Sequence, residues 1–442
     1  MPLPNLPSRR AFLIASIIVL SALAHAQSPK LKITEASSNE SLWRLDLHSL
    51  GYPSDSSQLQ LRRRPEEFNT VDFVSENEIV ASFLTQESTG LQRRNDSNRA
   101  RPYALHALFL DAATGKLLKS LEWPLDNPVS GIFPRYDGGF LFLSTQRIIL
   151  YSPNFTVVKE LPFSQLLNGE AYFAGIAASP SGKVLVVRFH QNNSTHCIRI
   201  LTETLASSET PCEIPEIFTV SDNELAMYPG ASDKPEIVPV TGPVQTAVHT
   251  PTGLQSEVAG DGRKILISAP GAPARTLCDS FLVRGCSILQ FVNNENLIVY
   301  EGFSLSLVNH NGIDPGSKVA FANRLPWFQE FGVIDPYGRP VRPSASGQRF
   351  AVIFNTSPKD RGVEVERFTI PGEIPGKFPS QVAVYDIPQN TWAYQLKNKK
   401  NEFKQIWSVA LSPSGNKLVI DSGGVVQIYA VPSSSESSAV MR

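Results

Sequence analysis

The same strand–turn–strand unit recurs along most of this 442-residue chain, and this repetition limits the possible folds more than any other feature. Each unit has a run rich in Val, Ile, Phe and Tyr, then a polar turn, then a second β-rich run, which together indicate a β-hairpin. The best-matched copies are residues 177–187 and 410–420, which share the turn Ser-Pro-Ser-Gly. Helical periodicity is nearly absent. We therefore predict an all-β repeat fold.

The spacing of the turns predicts how the units are arranged. Turn centres lie at residues 75–77, 137–138, 181–182, 222–223, 261–262, 293–294, 346–347 and 414–415. Successive centres are about 33 to 68 residues apart, and a four-stranded propeller blade takes about 40 to 50 residues. One blade per turn would give eight blades, but seven is the commoner number and the shortest gap can hide a partial blade. We predict a single β-propeller with seven blades, each a four-stranded antiparallel sheet, and keep eight blades as the alternative.

Two short motifs carry a resemblance to a known superfamily. Ser-Pro-Ser-Gly stands at the first turn of a blade at 179–182 and 412–415, and Tyr-Asp-Ile stands at 385–387, where WD40 blades carry Trp-Asp. Over nearly its whole mature length the chain resembles the WD40-like and YVTN-like β-propeller superfamily. The resemblance implies that residues 40–432 form the propeller.

Closure of the ring requires a strand from the N-terminal side. Residues 407–431 supply only three clear strands for the last blade, and an incomplete blade would leave an unpaired edge. Residues 42–47 alternate apolar and polar side chains. We predict that they form the missing outer strand.

The first 26 residues have the pattern of an export signal. Arg9 and Arg10 precede the apolar stretch 11–24, and Ala24-His25-Ala26 offers small residues for cleavage before Gln27. The stretch is about 14 residues, too short to cross a bilayer comfortably as a helix. We predict a cleaved signal peptide at 1–26, a flexible segment at 27–39 and a disordered tail at 433–442.

The export route and the charge limit the choice of partners. Residues 8–13 (Ser-Arg-Arg-Ala-Phe-Leu) resemble a twin-arginine signal, and ordinary secretion is the alternative. Either route places the protein in the periplasm or outside the cell, with no stable membrane span after cleavage. The formal net charge is -1, so the chain has no overall positive field to hold nucleic acid. We expect a monomer that does not bind nucleic acid.

The four cysteines fit an oxidising compartment. Cys197 and Cys212 are near each other in the sequence, as are Cys278 and Cys286, and neither spacing matches a C-x-x-C redox or zinc site. Three pairings are possible, and we favour the two local disulfides. Free buried thiols are the alternative.

Two long insertions predict where a ligand binds. Segments 86–102 and 357–380 are expected between the second and third strands of their blades, which would place both on one face of the disc. Long loops on a rigid scaffold commonly carry binding sites. Their basic residues can grip carboxylates or phosphates, although solvated loop charges are the simpler interpretation. The candidate binding residues are Arg93, Arg94, Arg99, Arg101, Lys359 and Arg361.

An aromatic segment provides further candidates. Residues 325–331 contain Trp327, and Arg339 and Arg342 follow before the next predicted inner strand. These side chains could form a wall at the mouth of the central channel, or they could simply pack between blades.

No catalytic signature stands out. The chain lacks G-x-S-x-G, H-E-x-x-H, G-x-G-x-x-G and G-x-x-x-x-G-K-[ST]. Residues 111–116 resemble a repeat of quinoprotein propellers, but Asp, Thr and Gly at this spacing are also ordinary turn chemistry. We predict no catalytic residues, no metal-binding residues and no cofactor, although a structural or catalytic divalent metal stays possible.

Two functional hypotheses remain. The first is an exported, non-enzymatic scaffold that binds another protein or a cell-envelope polymer through the face with the insertions. The alternative is a propeller enzyme of the lactonase, lyase or glycan hydrolase type, with a metal or carboxylate site at the central channel.

Overall fold

The computed structural model describes most of the strand-forming part of the chain. The described residues are 40–53, 71–86, 103–127, 129–167, 171–191, 194–211, 218–223, 225–227, 264–268, 275–279, 286–301, 304–309, 323–324, 341–355, 380–389, 391–396, 406 and 408–433. They form 28 β-strands and two short 3-10 helices, at Leu47–Leu50 and Phe163–Gln165.

These strands form seven four-stranded antiparallel sheets within the described residues, which confirms the all-β propeller and the preferred blade number. Strand β1 (Trp43–Asp46) comes first in the chain. Blade 1 contains β2 (Val71–Ser75), β3 (Glu78–Gln86), β4 (Tyr103–Asp111) and β5 (Leu117–Leu125). Blade 2 contains β6 (Ser130–Pro134), β7 (Phe140–Ser144), β8 (Arg147–Tyr151) and β9 (Val157–Pro162). Blade 3 contains β10 (Tyr172–Ala178), β11 (Val184–Gln191), β12 (Ser194–Leu201) and β13 (Ser207–Pro211).

The remaining four blades follow the same order. Blade 4 contains β14 (Phe218–Val220), β15 (Leu225–Met227), β16 (Lys264–Ser268) and β17 (Arg275–Asp279). Blade 5 contains β18 (Cys286–Phe291), β19 (Asn296–Glu301), β20 (Ser304–Asn309) and β21 (Asn323–Arg324). Blade 6 contains β22 (Val341–Pro343), β23 (Arg349–Asn355), β24 (Ser380–Asp386) and β25 (Thr391–Leu396). Blade 7 contains β26 (Ser408–Leu411), β27 (Lys417–Asp421) and β28 (Val425–Ala430), and β1 completes it.

The first strand of each blade lies on the inside of the ring. Strand β2 contacts β6 and β26, β14 contacts β10 and β18, and β22 contacts β18 and β26. A shared hydrophobic cluster joins blades 2 and 3. The blades therefore follow one another in chain order, and blade 7 meets blade 1.

The hydrophobic core is divided among the junctions between blades. One cluster joins blades 7 and 1, another blades 1 and 2, and others join blades 2 and 3, 5 and 6, and 6 and 7. Because each blade packs on both faces, inner strands such as β7 are buried at every position. The outer strand β9 is exposed at its first four positions.

Strand β1 closes the ring as predicted. It pairs antiparallel with β28, with Trp43 opposite Ile428 and Asp46 opposite Val425. The indole Nε1 of Trp43 also donates to the carbonyl oxygen of Ala112 in blade 1, at 2.9 Å. The outer strand of blade 7 thus holds the neighbouring blade as well.

One of the eight turn signals was interpreted wrongly. The turn at 261–262 lies outside the described residues, between β15 and β16, and these two strands pair with each other. Strand β16 is therefore the third strand of blade 4 and does not begin a new blade. A long connection inside one blade gave the same spacing as a boundary between two blades.

Three first turns share one structure, built on the sequence Ser-x-Ser-Gly. In the turn 179–182, the hydroxyl of Ser179 accepts the backbone N–H of Val184 at 3.1 Å, and the N–H of Gly182 donates to the Ser179 carbonyl at 2.9 Å. Turns 344–347 and 412–415 repeat both bonds. The first serine is at most 3% exposed in all three. The glycine has a positive φ of 67° to 78°, which explains the residue type.

Contacts between neighbouring first turns run around the whole ring, and we name this set the turn belt. Hydrogen bonds link six of the seven junctions in the described chain: Gly138 N to Val74 O, Ser181 Oγ to Asp222 Oδ1, Asp222 N to Asn294 Oδ1, Asn293 Nδ2 to Gly347 O, Ser346 N to Pro413 O, and Ser414 N and Oγ to the Glu76 carboxylate. At the seventh junction, between blades 2 and 3, Gly182 packs directly on Pro134 and Tyr136. The first turns therefore form one continuous layer, with hydrogen bonds at six of its seven junctions.

A buried ion pair reinforces the junction of blades 6 and 7. The Nε atom of Arg349 lies 2.9 Å from Oδ2 of Asp386, and both side chains are about 5% exposed or less. Arg349 also donates to the Gly415 carbonyl at 3.2 Å and to Oδ1 of Asn416 at 3.0 Å. Burial, with a smaller effect from Asp386, raises the pKa of Tyr385 to about 12. The ion pair lies within blade 6 and holds the Arg349 guanidinium in place, and the bonds of Arg349 to Gly415 and Asn416 join blade 6 to the turn of blade 7.

We predict that Gly347→Ala destabilises the propeller more than Gly51→Ala. Both glycines have a positive φ, +67° and +94°, so both variants incur a backbone cost of about 1–2 kcal/mol. A Cβ at Gly347 would lie 2.5 Å from Cβ of Asn293 in the next blade, whereas at Gly51 the nearest atom is 4.0 Å away. Crowding should add about 1–3 kcal/mol for Gly347→Ala alone. Urea denaturation measures the difference, and equal losses of unfolding free energy would contradict close packing of the belt.

Candidate functional site

The two faces of the propeller carry different kinds of connection. The turns that join first to second strands lie on one face, which we name the turn face, and it contains the turn belt. The connections that join second to third strands leave from the opposite face, which we name the loop face. Three long segments belong to this second class: 87–102 after β3, 228–263 after β15 and 356–379 after β23. The first and last are the insertions singled out from the sequence, and the middle one was missed.

Most of the predicted site residues lie outside the described residues. This holds for Arg93, Arg94, Arg99, Arg101, Trp327, Arg339, Lys359 and Arg361. In chain order, Trp327 and Arg339 fall between β21 and β22, which is a connection from the outer strand of blade 5 to the inner strand of blade 6. Their roles stay predictions.

Arg342 is the one predicted binding residue that the structure describes, and it lines a cavity in the central channel. The cavity lies near the turn face and is bordered by inner strands or turns of blades 1, 2, 3, 5, 6 and 7. Its polar lining includes Asp72, Ser179, Gln290 and Arg342. The structure therefore brings Arg342 together with a carboxylate and a carboxamide from other blades.

Neither Asp72 nor Gln290 was among the binding residues predicted from the sequence. Asp72 is only 7% exposed, and its Oδ1 accepts the backbone N–H of Phe73 at 2.8 Å. It is the single charged residue in the run Val-Asp-Phe-Val of β2. A charge inside an otherwise apolar inner strand could have marked it as a channel residue.

The size of the cavity limits what it can hold. Its volume is about 40 Å³. This is enough for a few water molecules, whereas pockets for drug-sized ligands usually measure about 300–1,000 Å³. Its polar lining suits a few ordered water molecules.

Three histidine–carboxylate pairs lie toward the outside of the blades, two between a third and an outer strand and one in β1 and the 3-10 helix after it. His48 contacts Asp46 at 2.6 Å, His106 contacts Glu122 at 3.4 Å, and His196 contacts Glu209 at 2.6 Å. They belong to blades 7, 1 and 3. Within the part of the chain that the structure describes, no three His, Cys, Asp or Glu side chains come together as metal ligands.

The cysteines are only partly accounted for. Cys197 is fully buried in β12 and is disulfide-bonded. Its predicted partner Cys212 lies outside the described residues, one position after β13 ends. Cys278 and Cys286 belong to β17 and β18. Both local pairings stay predictions.

The sequence 111–116 forms a hairpin turn, as its residue types suggested. Oδ1 of Asp111 accepts the hydroxyl of Thr114 at 2.7 Å and the backbone N–H of Thr114 at 2.8 Å. Gly115 has a φ of +72°. The hydroxyl and backbone hydrogen bonds of Thr114 lower the pKa of Asp111, because they stabilise the charged carboxylate.

Among the described residues, no helix has the length and apolar character needed to span a bilayer.

Comparison with known proteins gives similar solved structures but no matching family or curated sequence. No protein-family model matches the chain, and no curated protein sequence matches it. Three similar solved structures are the WD40 domain of Pan2 from Neurospora crassa (9% identity, TM-score 0.46), the C-terminal WD40 domain of Sif2 (12%, 0.37) and the mitotic checkpoint complex (10%, 0.45). The matches cover 90%, 89% and 92% of this chain and 98%, 98% and 99% of those chains. The β-propeller fold is shown by the seven four-stranded blades described above.

We predict that Thr114→Val raises the pKa of Asp111 toward its usual value of 3.8, because the hydroxyl donor is lost. The folded-state pKa of this carboxyl is depressed, so its contribution to stability is present above its unfolded pKa and is lost as the pH falls through its folded pKa. The variant should therefore lose this contribution at a higher pH than the wild type. An NMR titration of the Asp111 carboxyl measures the shift.

Thr204→Val provides the matched control. Thr204 occupies the corresponding turn of blade 3, where Leu201 stands in the place of Asp111. This substitution should leave the Asp111 titration unchanged. An unchanged Asp111 titration in Thr114→Val would contradict the account.

Proposed function

We propose that the protein is an exported, non-enzymatic scaffold that binds another protein or a cell-envelope polymer through its loop face. Insertions 86–102 and 357–380 provide the binding residues. Export to the periplasm or beyond rests on the signal pattern in residues 1–26.

This proposal rests on the difference between the turn face and the loop face. On the turn face, short first turns bond to one another at six of the seven junctions, and these bonds use polar atoms of the turns within the belt. On the loop face, three connections between second and third strands are much longer than a hairpin turn requires. Binding residues are usually found in long loops that the scaffold does not need for its own stability.

The strand register supports the view that the insertions are not needed for folding. Gln86 lies directly opposite Tyr103 at the end of the β3–β4 ladder, and Asn355 lies opposite Ser380 at the end of the β23–β24 ladder. Blade 3 joins the corresponding strands with only two residues, between Gln191 and Ser194. Two residues therefore suffice for this connection.

The composition of the insertions indicates the chemistry of the partner. Four arginines lie in the first insertion, and Lys359 and Arg361 lie in the second. Guanidinium groups bind carboxylates and phosphates in bidentate fashion. The proposal therefore favours an acidic protein surface or an anionic polymer as the partner.

Replacing residues 87–102 with Asn-Gly tests the proposal. The register of Gln86 and Tyr103 allows a two-residue hairpin, so the melting temperature should stay within a few degrees of the wild type. Recovery of the partner by cross-linking in the exported fraction should fall at least about tenfold, because several charged contacts are removed together. A second variant with Asn-Gly in place of 356–379 should give the same result.

Lys183→Glu is the matched control for a charge change on the turn face. Lys183 is exposed in the first turn of blade 3, far along the chain from both insertions. It should leave partner recovery unchanged. Full recovery with either loop replacement, or loss with Lys183→Glu, would contradict the proposal.

A further inference from the structure

Two neighbouring outer strands expose aliphatic side chains together with lysines. Leu117 and Leu118 at the start of β5 are 38% and 50% exposed, and Val157 and Val158 at the start of β9 are 58% and 60% exposed. Exposed lysines adjoin both pairs. We name this set the outer rim patch, and its members are Lys116, Leu117, Leu118, Lys119, Val157, Val158 and Lys159.

The two halves of the patch lie on adjacent blades at the same height. Each pair of aliphatic residues follows the third turn of its blade, so both are at the turn-face end of an outer strand. Phe155, two residues before Val157, packs on Phe109 of blade 1 with ring centroids 4.7 Å apart. Phe109 lies opposite Lys119 in the β4–β5 ladder. The patch is therefore one arc of the propeller rim.

The seven residues of the patch include three lysines and no acidic residue. The ammonium groups of Lys116 and Lys119 have no hydrogen-bond or ion-pair partner among the described residues, and that of Lys159 donates only to the carbonyl of Thr204 at 2.8 Å. Three of the four acids beside the patch have contacts within the fold, and the fourth, Glu203, is exposed next to Thr204. Glu122 contacts His106, Glu160 contacts Arg147 at 3.0 Å, and Asp111 accepts the bonds of its own turn.

The same position in blade 3 differs in character. Strand β13 begins Ser-Ser-Glu there, which is polar with an acid, and its first three residues have no aliphatic side chain. Apolar and basic residues are thus combined in blades 1 and 2, and this combination is not required by an outer strand of this fold.

We propose that the outer rim patch docks on the surface of an anionic lipid bilayer. Exposed aliphatic side chains can enter the boundary between headgroups and acyl chains, while lysines are attracted to the negative headgroups. Neither contribution is strong alone, and together they give reversible peripheral binding. The patch lies at the turn-face end of the rim, so docking leaves the loop face free, and this inference does not depend on the proposed function.

Vesicle co-sedimentation of the full chain from the exported fraction tests the inference. The probes are vesicles of phosphatidylcholine with 30% phosphatidylglycerol, and vesicles of phosphatidylcholine alone. The wild type should prefer the anionic vesicles, and the preference should fall at high salt. Where residues 1–26 are retained, Arg9 and Arg10 would themselves favour anionic vesicles, so the effect of the lysine substitutions, rather than the wild-type preference alone, reports on the patch.

Substitutions within the patch give the decisive comparison. Lys116→Gln with Lys119→Gln should weaken binding to anionic vesicles roughly 25-fold, or about fivefold for each lysine near the surface. Leu118→Ser with Val158→Ser should also weaken it, by at least about threefold. Lys183→Gln removes one exposed lysine from the turn of blade 3 and should have no effect.

The outcomes separate lipid binding from the alternatives. Equal sedimentation of the wild type with both vesicles would overturn the proposal, as would wild-type affinity in the double lysine variant. If the wild type bound an acidic protein but no vesicle, the patch would be a protein interface and the proposal would fail. The lysine variants change only exposed side chains, so their result stands even if the serine variant folds poorly.

Discussion

The closure of the ring depends on a contact between residues that are far apart in the chain. The carboxylate of Glu76 in blade 1 accepts both the N–H of Ser414, at 3.0 Å, and its hydroxyl, at 2.8 Å. The ammonium group of Lys417 also donates to the Glu76 carbonyl, at 2.9 Å. Strand β1 closes blade 7 at the outside, so the ring is held at both its turn face and its rim. Without these contacts, blades 1 and 7 would each expose a hydrophobic face.

The turn belt also limits which surfaces of the propeller are available to bind a partner. Its polar groups are used in holding the blades together, and the cavity beside it holds about 40 Å³. Binding residues are then expected on surfaces that the scaffold does not use, which are the loop face and the outer rim patch. The loop face has the long connections, and the rim has the exposed aliphatic and basic side chains. A protein held on a bilayer by its rim would still present its loop face to a partner.

Local turn chemistry made much of the fold predictable, but contacts between blades were not visible in the sequence. Ser-x-Ser-Gly and Asp-x-x-Thr-Gly specify their own hydrogen bonds, so their turns could be predicted from residue types. The turn at 261–262 misled because a long connection within blade 4 mimics a blade boundary, and strand pairing alone distinguishes the two. Asp72, Gln290 and Arg342 meet only because the ring brings distant blades together. The spacing of these three residues along the chain does not predict that they line one cavity.

Hydrogen–deuterium exchange on the Glu76→Gln variant tests most directly whether the turn belt acts as one closed ring. The measured quantity is the protection of backbone amides in the described first turns, including those of Gly182, Gly347 and Gly415. If closure is cooperative, weakening the contact with Ser414 should lower protection in the turns of blades 3 and 6 as well as 7 and 1. Loss of protection confined to blades 7 and 1 would contradict the account.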